Sequence, residues 1–163
     1  MEFATDGSLI VYTNGSVQVK PAAANDTAIV AAKGTPEAGD KMEDGSIFAG
    51  LSPDTGKQMF VMRQDGLVAT FNGAAKYAKT LNESKILGHD DWRVPTEAEL
   101  NVLFQNKDKG ALKGTFNLTV LTPAGWYWSS TPNDGNFAWQ QRFSDGSQYY
   151  GYRDFDASVR CVR

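Results

Sequence analysis

The sequence predicts an α+β domain, two helices packed on one side of a mostly antiparallel sheet, with a small β-hairpin unit ahead of it. Three features carry this expectation. A turn-bounded pair of β-rich runs opens near residue 46, two stretches with helical apolar period follow, and the last third is rich in aromatic and β-forming residues. The 163 residues suit one compact domain with a sizeable core plus an appendage. The appendage and its linker are expected at 1–44 and the main domain at 45–163.

In the appendage, Ser8-Leu9-Ile10-Val11-Tyr12-Thr13 and Ser16-Val17-Gln18-Val19-Lys20 flank Asn14-Gly15. Both turn residues accept positive φ, which makes this the strongest short hairpin signal. An Ala-rich stretch follows Pro21, and Gly34 to Gly45 has the Gly, Pro and charge content of a linker. The isolated hairpin is marginal in water, so it is expected to pack on the main domain or to serve assembly or attachment.

In the main domain, Ile47-Phe48-Ala49-Gly50-Leu51 and Gln58-Met59-Phe60-Val61-Met62 flank a turn in which Pro53 presets a corner and Gly56 supplies a left-handed exit. A helix starts at Thr70 or Phe71. Phe71, Ala74, Ala75, Ala78 and Leu81 form one apolar stripe, with Lys76, Lys79 and Asn82 on the other side. After a polar turn at Gly88 to Asp91, Thr96 and Glu99 spell a capping box for a second helix, whose buried stripe is Leu100, Leu103 and Phe104.

From Trp126 the chain changes character. Tyr149, Tyr150, Tyr152 and Phe155 sit among Gly, Asp, Arg and Gln with no helical or strand-like period to bury them. Such a mixture has the composition of a paratope: Tyr gives contact area with few rotamers to freeze, while Gly, Ser, Asn and Asp give adaptable hydrogen bonding. The competing expectation is a loop whose aromatics fold under into the core.

Charge and composition narrow the function. A net charge of −3 gives no basic footprint for nucleic acid. No apolar run spans a bilayer, and the N-terminus lacks the layout of a signal peptide, so neither membrane insertion nor a secretory leader is expected. Cys161 is the sole cysteine and is expected to be a buried, inert thiol. His89 with Ser129 or Ser130 makes no triad, because no G-x-S-x-G elbow surrounds the serines. No enzyme activity is expected. One His and one Cys cannot fill a zinc site without carboxylates. Asp134, Asp145, Asp154 and Asp156 lack EF-hand spacing and are expected to be solvated turn residues, with no metal or cofactor bound.

Four motifs in order carry a resemblance: D-W-R-V-P-T-E-A-E-L-N-V-L-F at 91–104, G-W-Y-W-S-S-T at 125–131, A-W-Q-Q-R-F-S-D-G at 138–146 and S-V-R-C-V-R at 158–163. Together they resemble the C-type-lectin-fold variable proteins of diversity-generating retroelements, in the branch of the fold related to formylglycine-generating enzymes. The resemblance covers about Gly45 to Arg163. It implies a C-type-lectin fold whose C-terminal segment, about 133–158, is rewritten by adenine-directed mutagenesis to give many binding faces on one scaffold. It also implies that Trp92, Arg93, Trp126, Trp128, Trp139 and Phe143 are framework, with Arg160 and Cys161 in the closing strand. The cysteine chemistry of the formylglycine-generating relatives has no residue to stand on, since Cys161 lies in that strand.

Asn codons altered only at adenines reach Tyr, Asp, Gly, Phe, Ser and Ala, and Lys codons reach Arg. Segments 133–137 and 147–158 consist almost entirely of that set; Gln140, Gln141 and Gln148 cannot arise from an Asn codon by this route. The expected ligand-binding residues are Asn133, Asp134, Gly135, Asn136, Phe137, Ser147, Tyr149, Tyr150, Gly151, Tyr152, Arg153, Asp154, Phe155 and Asp156. The tyrosines, Phe155 and Phe137 are the expected hot spots, with Arg153, Asp154 and Asp156 setting charge complementarity. The set falls short of the roughly 20–30 residues a side of a standard interface, which points to micromolar to nanomolar binding, helped by avidity where copies are displayed. The expected partner is a macromolecule, a protein on a cell surface, met by a receptor-binding module of a phage tail tip or by a bacterial surface-display protein. Monomer and trimer both remain open. The alternative is an invariant adhesin or carbohydrate-binding domain of the same fold, with the aromatic face stacking on sugar rings.

Overall fold

The computed structural model describes residues 34–119 and 124–163, together with the backbone of two short strands, β1 (Leu9–Val11) and β2 (Val17–Val19). These two pair antiparallel, Val11 opposite Val17. The Asn14-Gly15 turn and the Ala-rich stretch lie outside the described residues. The chain divides into Met1–Thr35 and Pro36–Arg163.

The larger unit therefore begins at Pro36, ahead of the expected linker's end. The Gly39 N–H donates to Phe48 O at 2.8 Å, the Phe48 N–H to Asp40 O at 2.9 Å and the Ala111 N–H to Gly39 O at 2.8 Å. Asp44 accepts from Arg163 Nη2 at 2.6 Å and contacts His89 Nε2 at 2.8 Å. Gly, Pro and charge content marks departures from helix and strand, and a loop whose backbone bonds are satisfied by the domain shares it.

The first strand pair forms as expected: β3 (Ile47–Leu51) and β4 (Gln58–Val61) make their own two-stranded antiparallel sheet. Next come a short strand β5 (Val68–Ala69) and α1 (Phe71–Glu83), whose N-cap Thr70 accepts from the Gly73 N–H. Helix α2 (Glu97–Asn106) carries the complete Thr96–Glu99 capping box. The remaining strands are β6 (Trp126–Pro132), β7 (Phe137–Arg142), β8 (Gln148–Tyr152) and β9 (Ala157–Ser158). With β5 they form a five-stranded sheet in the order β5-β9-β6-β7-β8. Every pairing in it is antiparallel except β6 with β9. The α+β class is thus observed.

The helices cover opposite faces of this sheet rather than one side. Tyr127 and Trp128 are adjacent and both fully buried, so their alternating side chains demand cover on both faces. Tyr127 packs with Phe143, Leu100 and Leu103 of α2, and Met59 and Val61 of β4. Trp128 packs with Ala74, Ala78 and Leu81 of α1, and with Trp92, Val159 and Cys161. Two positions on α1 depart from the predicted stripe. Ala75 is exposed. Asn82 turns inward, donating through Nδ2 to Trp92 O at 2.9 Å and accepting the Trp92 N–H at 2.7 Å. Cys161 is buried, which pushes its thiol up to about 12.

A buried charge joins the sheet to the loops on its α2 side. Arg160, fully buried, donates from Nη1 to Asp65 Oδ1 at 2.7 Å and Thr115 O at 2.9 Å, and from Nη2 to Thr115 Oγ1 at 2.9 Å. Removing the carboxylate would strand a desolvated guanidinium, so Asp65→Ala is expected to cost about 3–5 kcal/mol, whereas Arg142→Ala, at a solvent-screened surface pair, is expected to cost far less. Urea unfolding of the two variants checks this ordering.

Candidate ligand-binding face

Hairpin β7–β8 grows from turn chemistry at both ends. Asp134 Oδ1 accepts from the Asn136 and Phe137 N–H groups at 2.7 and 2.9 Å, an Asx turn that starts β7. At the far end Gly146 adopts φ +81°, and its N–H donates to Arg142 O at 2.8 Å. A Cβ there would approach the Phe104 ring to 2.5 Å, so glycine is required both by conformation and by space. Asp145 holds the turn from the side chain, accepting from Arg142 Nε at 3.0 Å, from Arg142 Nη2, and from the Ser147 N–H at 3.0 Å. The guanidinium beside it holds the Asp145 carboxyl well below the usual carboxylate range.

Between those turns the register is unbroken, pairing Phe137 with Tyr152, Trp139 with Tyr150 and Gln141 with Gln148. The aromatics that showed no strand-like period therefore sit on an edge strand and the turn after it. A strand lacking a buried face has no reason to alternate, which is why period failed to mark it. Tyr149, Tyr150, Tyr152 and Phe155 are 59%, 36%, 52% and 63% exposed. They join Phe137 and Trp139 in one chain of ring contacts. Trp139 meets Tyr150 edge-on at 5.9 Å, Tyr150 stacks on Tyr149 at 4.6 Å, and Phe137 meets Tyr150 at 5.5 Å and Tyr152 at 4.3 Å. Tyr152 then reaches Phe155 at 5.3 Å.

Of the other predicted residues, Asn133, Asp134, Gly135, Asn136, Ser147, Asp154 and Asp156 are exposed, while Phe137, Gly151 and Arg153 are half-buried. Arg153 is engaged within the domain. Its guanidinium lies 4.8 Å over the Phe71 ring, its Nε donates to Phe137 O at 3.3 Å, and its carbonyl accepts the Phe71 N–H. It anchors the turn to α1. Gly151 sits under the Gln140 amide, whose atoms lie 2.8–3.0 Å from where a Cβ would stand. Ala157 and Ser158, inside the expected variable segment, are buried in β9 between β5 and β6. The exposed run thus ends at Asp156. Trp139, assigned to the framework by resemblance, is half-buried and part of the ring chain through Tyr150, its partner across the sheet.

The face rests on bonds from behind. Gln141 Nε2 donates to Asn101 Oδ1 of α2 at 3.0 Å. The Glu97 N–H donates to Thr131 Oγ1 at 3.0 Å and the Ser130 N–H to Pro95 O at 2.7 Å. Buried Glu99 accepts from Arg93 at 2.5 and 2.7 Å, from Ser52 Oγ at 2.5 Å and from the Thr96 N–H at 3.0 Å. A separate cleft of about 540 Å³, lined in part by Phe71, Ala75, Trp92, Val94 and Ser130, includes no residue of the β8 strand.

The Lcl C-terminal domain family model matches residues 41–163. The chain belongs to this family. It is a C-type-lectin-fold variable-protein domain of the kind found in diversity-generating retroelements. No curated protein matches the chain. The Lcl C-terminal domain accounts for the larger unit nearly from its start, since Lys41 already bridges to Ile47.

The buttress predicts a pH dependence. Burial works to raise the Glu99 carboxyl, but bonds from Arg93, Ser52 and Thr96 outweigh it and bring the value from 4.5 down to about 2. The unfolded chain therefore takes up this proton first, so the stabilisation is complete above pH 4.5 and is lost as pH falls toward 2. Its size is about 2–3 kcal/mol after allowing for screening at half-exposed Arg93. Urea midpoints measured against pH are expected to separate wild type from Glu99→Gln above pH 4.5 and to converge below it.

Proposed function

We propose that this chain is a non-catalytic binding module that presents the aromatic ridge of β7, β8 and the following turn to a macromolecular ligand, a protein at a cell surface. Its exposed positions are exchangeable by retroelement mutagenesis. The observation that supports this is the ring chain itself: six aromatic side chains in mutual contact, four of them exposed, on a hairpin held by bonds that the exposed rings do not make. A contiguous exposed apolar patch of this kind marks an interaction site, and rigid aromatics on a fixed support lose little entropy on binding. Net charge of −3 argues for a ligand other than nucleic acid. Display on a phage tail tip or a bacterial surface fits a module whose value lies in changing what it recognises.

Two measurements test this. Tyr149→Ala and Phe155→Ala are each expected to change stability by no more than about 0.5 kcal/mol, because little packing depends on them; a large loss would make these rings structural. In the DNA around the gene, a near-copy of the 3′ end is expected, with Asn-type codons at 149, 150, 154 and 155 and a neighbouring reverse transcriptase. Absence of both would favour an invariant, sugar-stacking adhesin of the same fold.

A further inference from the structure

Strand β8 ends the five-stranded sheet on one side, and among the described residues no strand pairs with its outer side. The bonds that flank its register set the phase of its backbone. The Arg142 N–H donates to Ser147 O at 2.8 Å and the Arg153 N–H to Asn136 O at 2.9 Å. Tyr149 and Gly151 share that parity and bond inward to β7, so Gln148, Tyr150 and Tyr152 turn their N–H and C=O groups outward. Among the described residues, the one partner for these outward groups is the Phe155 N–H, on Tyr152 O at 2.9 Å.

Folded proteins block such an edge with Lys, Pro, a bulge or brevity. The opposite edge follows that rule, since β5 has two residues. Strand β8 does not: it reads Gln-Tyr-Tyr-Gly-Tyr and pairs with β7 without a register shift. Charge around it is one-sided. Asp134, Asp154 and Asp156 are exposed beside the rings, while the neighbouring arginines are occupied, Arg142 on Asp145 and Arg153 over Phe71. Exposed Tyr and Phe faces also attract cations.

We infer that the open edge of β8 receives an extended strand of the ligand, added to the sheet by main-chain hydrogen bonds and carrying Lys or Arg on the side that meets the rings and aspartates. This rests on the proposed recognition role of the ridge and specifies how the ligand is held: backbone bonds to Gln148, Tyr150 and Tyr152 give a sequence-tolerant anchor, and the exchangeable rings choose the side chains beside it.

The test uses the full chain and a short blocked peptide of alternating Lys and Val, followed by NMR. Saturable binding is expected, with slowed amide exchange at Gln148, Tyr150 and Tyr152. N-methylation of the peptide on one parity should weaken binding about tenfold or more and on the other parity hardly at all, because only alternate N–H groups face β8. Gln148→Pro removes one outward donor while sparing every ring and the inner ladder, and should weaken binding where Gln148→Ala does not. Absence of binding, equal binding of both N-methylated forms, or equal binding of a Glu–Val peptide would overturn the inference. Mass doubling of the free chain that Gln148→Pro abolishes would assign the edge to a second copy instead, and so overturn it too. Loss of peptide binding in Tyr152→Ala without sensitivity to N-methylation would remove the added strand and leave the aromatic face standing.

Discussion

One guanidinium, that of Arg160, fixes where the sheet ends and the loops begin. Its charge is fully buried, and burial lowers its pKa against the opposing pull of Asp65. The cost of that burial is offset at its two terminal nitrogens, whose protons Asp65 and Thr115 accept, and by the Phe116 ring 4.4 Å from its centre, while its Nε is left without a partner. Asp65 passes the constraint on, accepting the Tyr127 hydroxyl with its other oxygen, while the Tyr127 oxygen accepts the Asn117 N–H at 2.5 Å. Burial, with Asp65 beside it, pushes the Tyr127 phenol far up, so it stays a proton donor at any physiological pH. Four remote stretches, around residues 65, 116, 127 and 160, are therefore registered by one ion. A well-packed hydrophobic substitute can match its stability but lacks its geometry.

With β9 and β6 set in this way, β7 and β8 extend from the sheet toward solvent. The consequence is a division of labour between neighbouring side chains. Gln141 and Ala138 are buried under α2 and α1 contacts respectively, while Phe137 and Trp139 between them feed the exposed ring chain. Two charged residues of the ridge cross this line. Arg153 is held against Phe71 and Asp134 bonds its own turn, so both are fixed in place, while Asp134, Asp154 and Asp156 are the exposed carboxylates of the ridge. The electrostatic character of the face is thus acidic even though an arginine lies within it.

Local chemistry was readable in the sequence wherever a residue's job involves its near neighbours. Pro53 and Gly56 gave the β3–β4 hairpin, Thr70 and Thr96 gave both helix starts, and the Thr96–Glu99 box formed in full. Long-range features were hidden. Nothing local says that Glu99 also binds Arg93 and Ser52, that Asn82 caps the Trp92 peptide, or that residues 36–45 are sewn to β3 by backbone bonds. The placement of one helix on each face follows from Tyr127 and Trp128 being adjacent and both buried, a fact about packing that two neighbouring aromatics leave undecided. Strand β8 escaped because its pairing partner, rather than a buried face, makes it a strand.

Composition and burial divide the C-terminal segment differently, and burial is the better guide to which positions the proposed exchange can use. Ala157 and Ser158 belong to the set reachable from Asn codons, yet both are buried in β9, and a Tyr or Asp at 157 would meet α1-side packing. Gln140 and Gln141 lie outside that set, and their places explain it: Gln141 is buried against Asn101, and the Gln140 amide covers the backbone of Gly151. Gln148 is exposed, so side-chain packing does not explain its exclusion. Its outward N–H and C=O open the free edge of β8, a role that belongs to the backbone and survives any substitution except proline. On the proposed reading such a surface changes its side chains and keeps one mode of attachment, because the part that side-chain exchange leaves unchanged is the peptide unit itself.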